Sequence, residues 1–155
     1  MKIKQMKKIN YIFIIAVMLL PLITGCERKI LGCTDPNSIN YNSAANVNDG
    51  SCQYDGSIVF WFDQITSDSL QAHKVTSLIY YVNGAAQGSS SPTICWVSPP
   101  DCGQNAAVTI TESFGAVNNP SYSFVVNDQS GNLLWNGNVV FTANGCNAYQ
   151  LVWTP

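Results

Sequence analysis

The side chains with the most evident covalent chemistry in this 155-residue sequence are its six cysteines: Cys26, Cys33, Cys52, Cys95, Cys102 and Cys146. A cysteine thiol can be acylated, can form a disulfide or can bind a metal as the thiolate. If Cys26 is modified separately, five cysteines remain. Five is an odd number, so one of them must stay free, pair between molecules or be modified.

The residues before Cys26 have the order of an export signal. Four lysines within the first eight residues precede an apolar run from Ile12 to Leu20, and the small residues Thr24 and Gly25 follow. A positive, then apolar, then small segment is typical of a secretory signal peptide. The apolar run is shorter than the roughly 20 residues that a membrane-spanning helix needs. We therefore expect residues 1–25 to be removed.

The tetrapeptide Ile23-Thr24-Gly25-Cys26 resembles the lipobox of bacterial lipoproteins, in which the cysteine is acylated before cleavage. The resemblance implies that Cys26 is the lipidation site and that residues 26–31 form a tether. Two or three acyl chains would anchor the protein stably, at about 0.8 kcal/mol per buried methylene. The expected location is the outer membrane, on its periplasmic or its surface face. The alternative is that Cys26 begins a freely secreted disulfide domain.

Residues 32–54 form a second segment, bracketed by Cys33 and Cys52 and almost free of aliphatic side chains. Such a segment cannot build a hydrophobic core, so it needs a cross-link or a metal. A disulfide closing a loop of this length contributes about 3 kcal/mol on the chain-entropy model. We therefore pair Cys33 with Cys52 and call residues 32–54 the loop module.

The loop module resembles a short repeat of secreted and surface proteins of environmental bacteria. The residues that match are Cys33-Thr34-Asp35-Pro36, Asn40-Tyr41, Ala45 and Asp49-Gly50-Ser51-Cys52. The resemblance implies an extracellular module and covers only a small part of the chain.

The loop module also concentrates the oxygen ligands that calcium prefers. A structural calcium site would use Asp35, Asn37, Asn40, Asn46, Asn48 and Asp49. Against it, only two of these are carboxylates and the spacing is out of register with an EF-hand. The alternative is that Asp35-Pro36 and Asp49-Gly50 form turns which the asparagines cap.

Residues 55–155 form the larger part of the mature chain, and they consist of short β-rich runs separated by turn residues. This pattern predicts an all-β fold, an antiparallel β-sandwich of about seven or eight strands preceded by the disulfide-closed loop module. Helical periodicity is absent. The predicted strands are Ser57–Asp63, Val75–Val82, Thr93–Val97, Ala106–Glu112, Ser121–Asn127, Asn132–Trp135, Gly137–Thr142 and Tyr149–Thr154.

Two turns and one strand carry further information. Asn83-Gly84 predicts a type I′ hairpin, and Ser130-Gly131 predicts a second, weaker one. The first strand is apolar on both faces, with Ile58, Phe60 and Phe62 on one side and Val59 and Trp61 on the other. It should therefore be a central strand whose second face is covered or used.

The sandwich region resembles small β-sandwich modules of bacterial surface lipoproteins. The counterparts here are Val59-Phe60-Trp61, Tyr81-Val82-Asn83-Gly84, Cys102-Gly103 and Gly145-Cys146. The resemblance implies a bond between Cys102 and Cys146, which leaves Cys95 odd. A bond between Cys95 and Cys102 across Pro99-Pro100 remains open.

Charge excludes one class of partner. After removal of residues 1–25, Arg28, Lys29 and Lys74 are the only basic residues, against nine Asp and Glu. Nucleic-acid binding rests on several Lys or Arg contacts to phosphates. We therefore expect no nucleic-acid partner.

The sequence offers no convincing catalytic constellation. His73 is the only histidine and lies in a polar connection, without a nucleophile motif or zinc-ligand spacing around it. The acids outside the loop module that could form a catalytic pair are Asp63, Asp101, Glu112 and Asp128. Because no two of these acids form an evident pair, we predict no catalysis.

Aromatic residues could form a binding platform, although most are expected in the core. Trp96, beside Cys95 and before Pro99-Pro100, is the one we expect to be exposed and ligand-binding; the others are Trp61, Trp135, Trp153, Tyr80 and Tyr81.

These features predict a non-catalytic, membrane-anchored envelope or surface lipoprotein that acts in adhesion or assembly with another envelope protein. The alternative is a carbohydrate-binding lipoprotein that supports nutrient capture. A coplanar aromatic patch would favour a glycan, whereas an apolar patch or an open strand edge would favour a protein. A cleft with two close acids would favour an enzyme.

Overall fold

The computed structural model describes residues 27–154, so the export signal and Cys26 lie outside the described residues. Within this range no helix has the length and apolar character to cross a membrane. The elements are β1 (Leu31–Gly32), β2 (Val47–Asn48), β3 (Tyr54–Trp61), α1 (Gln64–Ala72), β4 (Leu78–Val82), β5 (Ala85–Ser90), β6 (Val108–Gly115), β7 (Ser121–Asp128), β8 (Leu133–Val140) and β9 (Cys146–Gln150).

The predicted β-sandwich is confirmed. A three-stranded sheet has the order β6-β3-β9, and a four-stranded sheet has the order β5-β4-β7-β8. The short strands β1 and β2 pair separately within the loop module. The sandwich therefore has seven strands. Its pairs are antiparallel except that β9 runs parallel to β3, which the chain reaches by crossing over from β8 in the other sheet.

The core lies between the two sheets and is centred on Phe60 of β3. Its ring lies 5.5 Å from that of Tyr80, 5.2 Å from that of Phe124 and 5.7 Å from that of Tyr149, measured between centroids. Aromatic rings at these separations add to the stability gained from burial alone. Phe60 therefore joins strands of both sheets.

The outer face of β3 is also covered. Val59 and Trp61 are buried but lie outside the main core cluster, which contains Ile58 and Phe60. The cover is the connection 91–107. Its Cys102 is bonded to the first residue of β9, and its Gly103 N–H donates to Thr109 of β6, so the connection crosses over β3.

The prediction of a strand at Thr93–Val97 is wrong, because this apolar run belongs to that covering connection. Its Trp96 N–H donates to the carbonyl of Phe62, and its Ile94 N–H donates to Ser91 in a turn, with no ladder on either side. An apolar run that packs over a sheet and one that pairs within a sheet look alike in sequence.

The prediction that the chain has no helical segment is also wrong, because helix α1 connects β3 to β4. Asp63 caps it by accepting from the Thr66 N–H at 2.9 Å. The helix ends in a Schellman motif: Lys74 adopts a φ of 60°, and the Val75 N–H donates to the carbonyl of Leu70. The buried face contains Thr66 and Ser67 beside Leu70, so it carries no hydrophobic periodicity.

The strand bounds differ from prediction at several places, and the largest differences are at β5, β8 and β9. The two short strands expected at 132–135 and 137–142 form the single strand β8, since Gly137 lies within it, opposite Phe124. A Cβ at position 137 would lie 2.9 Å from the Phe124 ring, so this glycine makes room for the ring. β5 was not predicted because its residues are small and polar, and β9 begins three residues earlier than expected.

Both predicted hairpins are confirmed. Asn83 and Gly84 have φ values of 50° and 77° and join β4 to β5 in the two-residue form that requires positive φ. Gly131, with a φ of 83°, ends the three-residue loop between β7 and β8. The Asp128 N–H donates to the carbonyl of Asn132 across this loop.

Candidate functional site

The loop module is closed by the predicted disulfide between Cys33 and Cys52. Both cysteines are buried and belong to the same core cluster as Ile58 and Phe60. The Tyr54 hydroxyl at the start of β3 donates to Asp35 Oδ2 at 2.7 Å. The module is therefore joined to the sandwich by the cystine and by a side-chain hydrogen bond.

Several predicted calcium ligands close local turns through their side-chain oxygens. Asp35 Oδ1 accepts from the Asn37 N–H, Asn48 Oδ1 from the Gly50 N–H, and Asp49 Oδ1 from the Ser51 N–H, each at 2.9–3.0 Å. Each bond closes an Asx turn of the kind that the sequence offered as the alternative.

Two further predicted ligands, Asn40 and Asn46, join distant parts of the chain. Asn40 accepts from the Gln53 N–H at 2.9 Å and donates to the Ser51 carbonyl at 2.7 Å. Asn46 accepts from the Ile30 N–H at 2.8 Å and donates to the Arg28 carbonyl at 3.0 Å. These amides therefore hold the module together where it has no apolar core.

Hydrogen bonding shapes the electrostatics of the module. The Asn37 N–H and the Tyr54 hydroxyl lower the pKa of Asp35, and hydrogen bonds from Ser51 lower the pKa of Asp49. The same bond to Asp35 raises the pKa of the Tyr54 hydroxyl. Both carboxylates are therefore stabilised in their charged forms.

Most of the predicted calcium ligands are engaged in hydrogen bonds to the protein. In residues 27–154 no three His, Cys, Asp or Glu side chains come close enough to hold a metal together. The side-chain oxygens of Asp35, Asn40, Asn46, Asn48 and Asp49 each have a partner within the module. An ion would compete with these bonds, and calcium binding stays a prediction.

The second disulfide joins Cys102 and Cys146, as the resemblance to lipoprotein sandwiches implied. The alternative bond between Cys95 and Cys102 is wrong. Cys95 is a free, half-buried thiol whose Sγ lies 3.0 Å from Gln64 Oε1. The bond to β9 holds the covering connection on the sheet, which positions Cys95 and Trp96 beside α1.

Trp96 lines a groove of about 320 Å³ between the first turn of α1 and the connection 91–107. Asp63, Gln64 and Ile65 form one wall, and Cys95, Trp96 and Val97 form the other. Trp96 itself is half-buried, while Ile65 and Val97 are exposed. The tryptophan expected to be exposed is thus partly covered. The groove and its exposed aliphatic residues depend on a helix that the sequence pattern did not predict.

The other aromatics do not form a platform with Trp96. Trp61 is buried on the outer face of β3, and Tyr80 is buried in the core, where burial raises its pKa to about 12. Trp135 packs edge-on against Trp153 at an interplanar angle of 84° and donates to the Val152 carbonyl. Among residues 27–154 these contacts leave Trp96 without a coplanar partner.

A second cleft, of about 490 Å³, lies where β4 and β5 approach β6. Hydroxyl side chains line much of it, above a floor that includes Ile94 and Val108; the hydroxyl residues are Thr76, Ser77, Ser89, Ser90 and Ser91. None of its lining residues is charged. The three consecutive serines Ser89-Ser90-Ser91 are the sequence feature that marks this cleft, and the sequence pattern alone did not identify them as part of a site.

The candidate catalytic acids have structural partners. Asp63 caps α1, and Glu112 accepts from the Gln87 amide. Asp128 accepts from Asn132 and the Ser130 N–H in the β7–β8 loop, and the Asn132 side chain chiefly lowers its pKa. Asp101 is exposed.

His73 has structural contacts of its own. It lies at the end of α1, where its ring nitrogen Nδ1 is 2.8 Å from the Ser69 carbonyl oxygen. Its ring packs on that of Trp153, with the centroids 4.9 Å apart. These contacts tie the C-terminus of α1 to the last residues of the chain.

The chain matches no protein-family model, no curated protein and no solved structure.

Proposed function

We propose that this protein is a non-catalytic lipoprotein, attached to the outer membrane through Cys26, that acts in adhesion or assembly by binding another envelope protein. The attachment rests on the sequence around Cys26. The binding role rests on the groove between α1 and the connection 91–107, with its exposed Ile65 and Val97.

The groove favours a protein partner for a physical reason. Ile65 and Val97 expose aliphatic side chains on the two walls of the groove, and Trp96 lies half-buried in the same wall as Val97. Tryptophans in partly closed apolar pockets are typical anchors of protein interfaces. A sugar platform would instead require flat, exposed rings.

The open strands of the sandwich offer further contact surface. β5 and β8 form the edges of the four-stranded sheet, and β8 exposes Leu133 and Val140. A strand edge with free N–H and C=O groups can pair with another chain. This surface suits assembly with a protein better than capture of a small ligand.

The lipid attachment is tested by the intact mass of the protein purified from membranes, with thiol alkylation before and after reduction. We expect cleavage before Cys26, added acyl chains, two disulfides and one alkylated thiol at Cys95. An unmodified Cys26, or one that forms a third disulfide, would show that the protein is freely secreted.

The partner is tested by photo-cross-linking from the groove. Benzoylphenylalanine replacing Val97 should give a discrete cross-linked species with an envelope protein, and Trp96→Ala should reduce the yield. The matched control is the same replacement at Val117, another exposed valine, in the turn after β6. Equal cross-linking from both positions would contradict a specific groove.

A carbohydrate-binding role in nutrient capture is the second candidate, and the hydroxyl-lined cleft at β4, β5 and β6 favours it. Its lining is neutral and polar, with a small apolar floor, which suits an uncharged polyhydroxylated ligand. Binding of soluble polysaccharides that is lost in Ser89→Val but kept in Trp96→Ala would support this candidate over the first.

A further inference from the structure

Hydrogen bonds from Asn46 hold the chain at Arg28 and Ile30, shortly after Cys26 in the sequence. Asn46 donates to the Arg28 carbonyl, accepts from the Ile30 N–H and donates its own N–H to the Ile30 carbonyl, at 2.8–3.0 Å. Only two residue steps separate Cys26 from Arg28, a reach of about 7 Å at most. The tether expected over residues 26–31 is therefore reduced to about Glu27.

Apolar side chains are exposed beside this attachment point, on β1 and on the loop module. Leu31 of β1 is 62% exposed, and Ile39 and Tyr41 of the module are 55% and 47% exposed. Leu31 pairs with Val47, and Tyr41 bridges Cys33, two residues after Leu31. Leu31 and Tyr41 therefore lie near each other, at the end of the module that follows Arg28 and Lys29.

The charges at the same end match a lipid surface. Arg28 and Lys29 are exposed there, and they are two of the three Lys or Arg residues in the described part of the chain. Basic side chains extend toward headgroups, while Tyr and Leu favour the boundary between headgroups and acyl chains.

We propose that the apolar side chains exposed on β1 and the adjoining part of the loop module form a membrane-contact surface, on which Leu31 and Tyr41 enter the headgroup region while Asn46 holds the Arg28–Ile30 segment against the module. This inference rests on the acylation of Cys26 proposed above. A flexible tether would let the sandwich tumble freely above the membrane. The clamp by Asn46 gives it one orientation, with the module toward the lipid.

The test is hydroxyl-radical footprinting of the acylated chain in phosphatidylcholine–phosphatidylglycerol vesicles, against the unacylated chain in buffer. We expect Leu31 and Tyr41 to react about tenfold more slowly on vesicles, as burial of apolar side chains of this size implies. Leu133, 58% exposed on β8, is the matched control and should not change. Asn46→Ala should reduce the protection, with the Cys33–Cys52 bond checked by mass.

A second arm separates this inference from acylation in the cell. The chain from Cys26 onward, carrying Cys95→Ser, is linked through the Cys26 thiol to a maleimide lipid in the same vesicles. Protection of Leu31 in this arm supports the contact surface even if the native protein is not acylated. Full reactivity of Leu31 on vesicles in both arms overturns it. Protection that instead follows protein concentration without vesicles overturns it in favour of contact between two copies.

Discussion

The loop module and the sandwich reach a stable structure by different means. In the module, Asx turns, long-range asparagine bonds and the Cys33–Cys52 bond replace a core of its own. In the sandwich, two sheets bury an aromatic cluster around Phe60. The module thus depends on directional bonds within one short stretch of chain, whereas the sandwich depends on packing between strands that are far apart in sequence.

This difference predicts how far the destabilising effect of a mutation should extend in each region. Removing a core side chain weakens every strand that contacts it, because packing is shared. Removing a cap or a cross-link in the module should release mainly the segment that it closes. Cys33, Cys52 and Tyr54 connect the module to the core, and we expect the effects of mutations in the module and in the sandwich to be distinguishable.

The largest effect is expected from Phe60→Ala. Loss of this ring leaves a cavity against Tyr80, Phe124 and Tyr149, at a cost of about 3–5 kcal/mol in unfolding free energy. Chemical denaturation should show one cooperative transition at a lower midpoint. A midpoint unchanged from the native chain would mean that the two sheets do not share this core.

Replacing Cys33 and Cys52 together by alanine should cost about 3 kcal/mol, since the bond closes a short loop in the unfolded chain. Hydrogen exchange should rise sharply across the loop module and only slightly in β4 and β7. The paired control replaces Cys102 and Cys146, which should instead expose the connection 91–107 and the outer face of β3. Identical exchange patterns in the two variants would contradict the separation.

Acid should loosen the module before the sandwich. Asp35 and Asp49 have a lowered pKa in the folded chain, so their contribution to stability is present above the unfolded pKa of 3.8 and is lost as pH falls toward the folded values. Limited proteolysis below that pH should cut within residues 32–52 first. In the double variant Asp35→Asn and Asp49→Asn, the rate of cleavage within residues 32–52 should depend less on pH than in the native chain. The control is Asp128→Asn, whose carboxyl stabilises the β7–β8 loop, and its cleavage within residues 32–52 should keep the native pH dependence.

The smallest effect concerns the end of α1. Lys74 adopts a left-handed conformation that costs a side-chain-bearing residue energy, so Lys74→Gly should stabilise the protein by about 0.5–1 kcal/mol. Asn83→Gly is the comparison, because asparagine tolerates this conformation and should gain less. The melting temperatures of the two variants measure these changes. A lower melting temperature for Lys74→Gly would mean that the Lys74 side chain stabilises the fold by more than its left-handed backbone conformation costs.

Much of the fold could be predicted because its signals are local. A run that is apolar on both faces marked β3, and the Asn83-Gly84 dipeptide marked a turn that needs positive φ at both residues. The loop module was recognisable because a segment without apolar residues must be cross-linked. The helix was missed because its buried face is polar: Ser67 donates to Pro92 of the covering connection, and Thr66 accepts from the Trp153 N–H.

The sequence by itself determined the sandwich class, the Cys33–Cys52 bond and the two hairpins, because alternation, spacing and turn chemistry act between near neighbours. Tertiary structure alone decided that Thr93–Val97 covers a sheet instead of joining it, and that Trp96 faces Ile65 across a groove. It also decided that the asparagines of the module cap backbone groups and clamp the Arg28–Ile30 segment. These outcomes depend on which distant surfaces meet, and no local pattern encodes that.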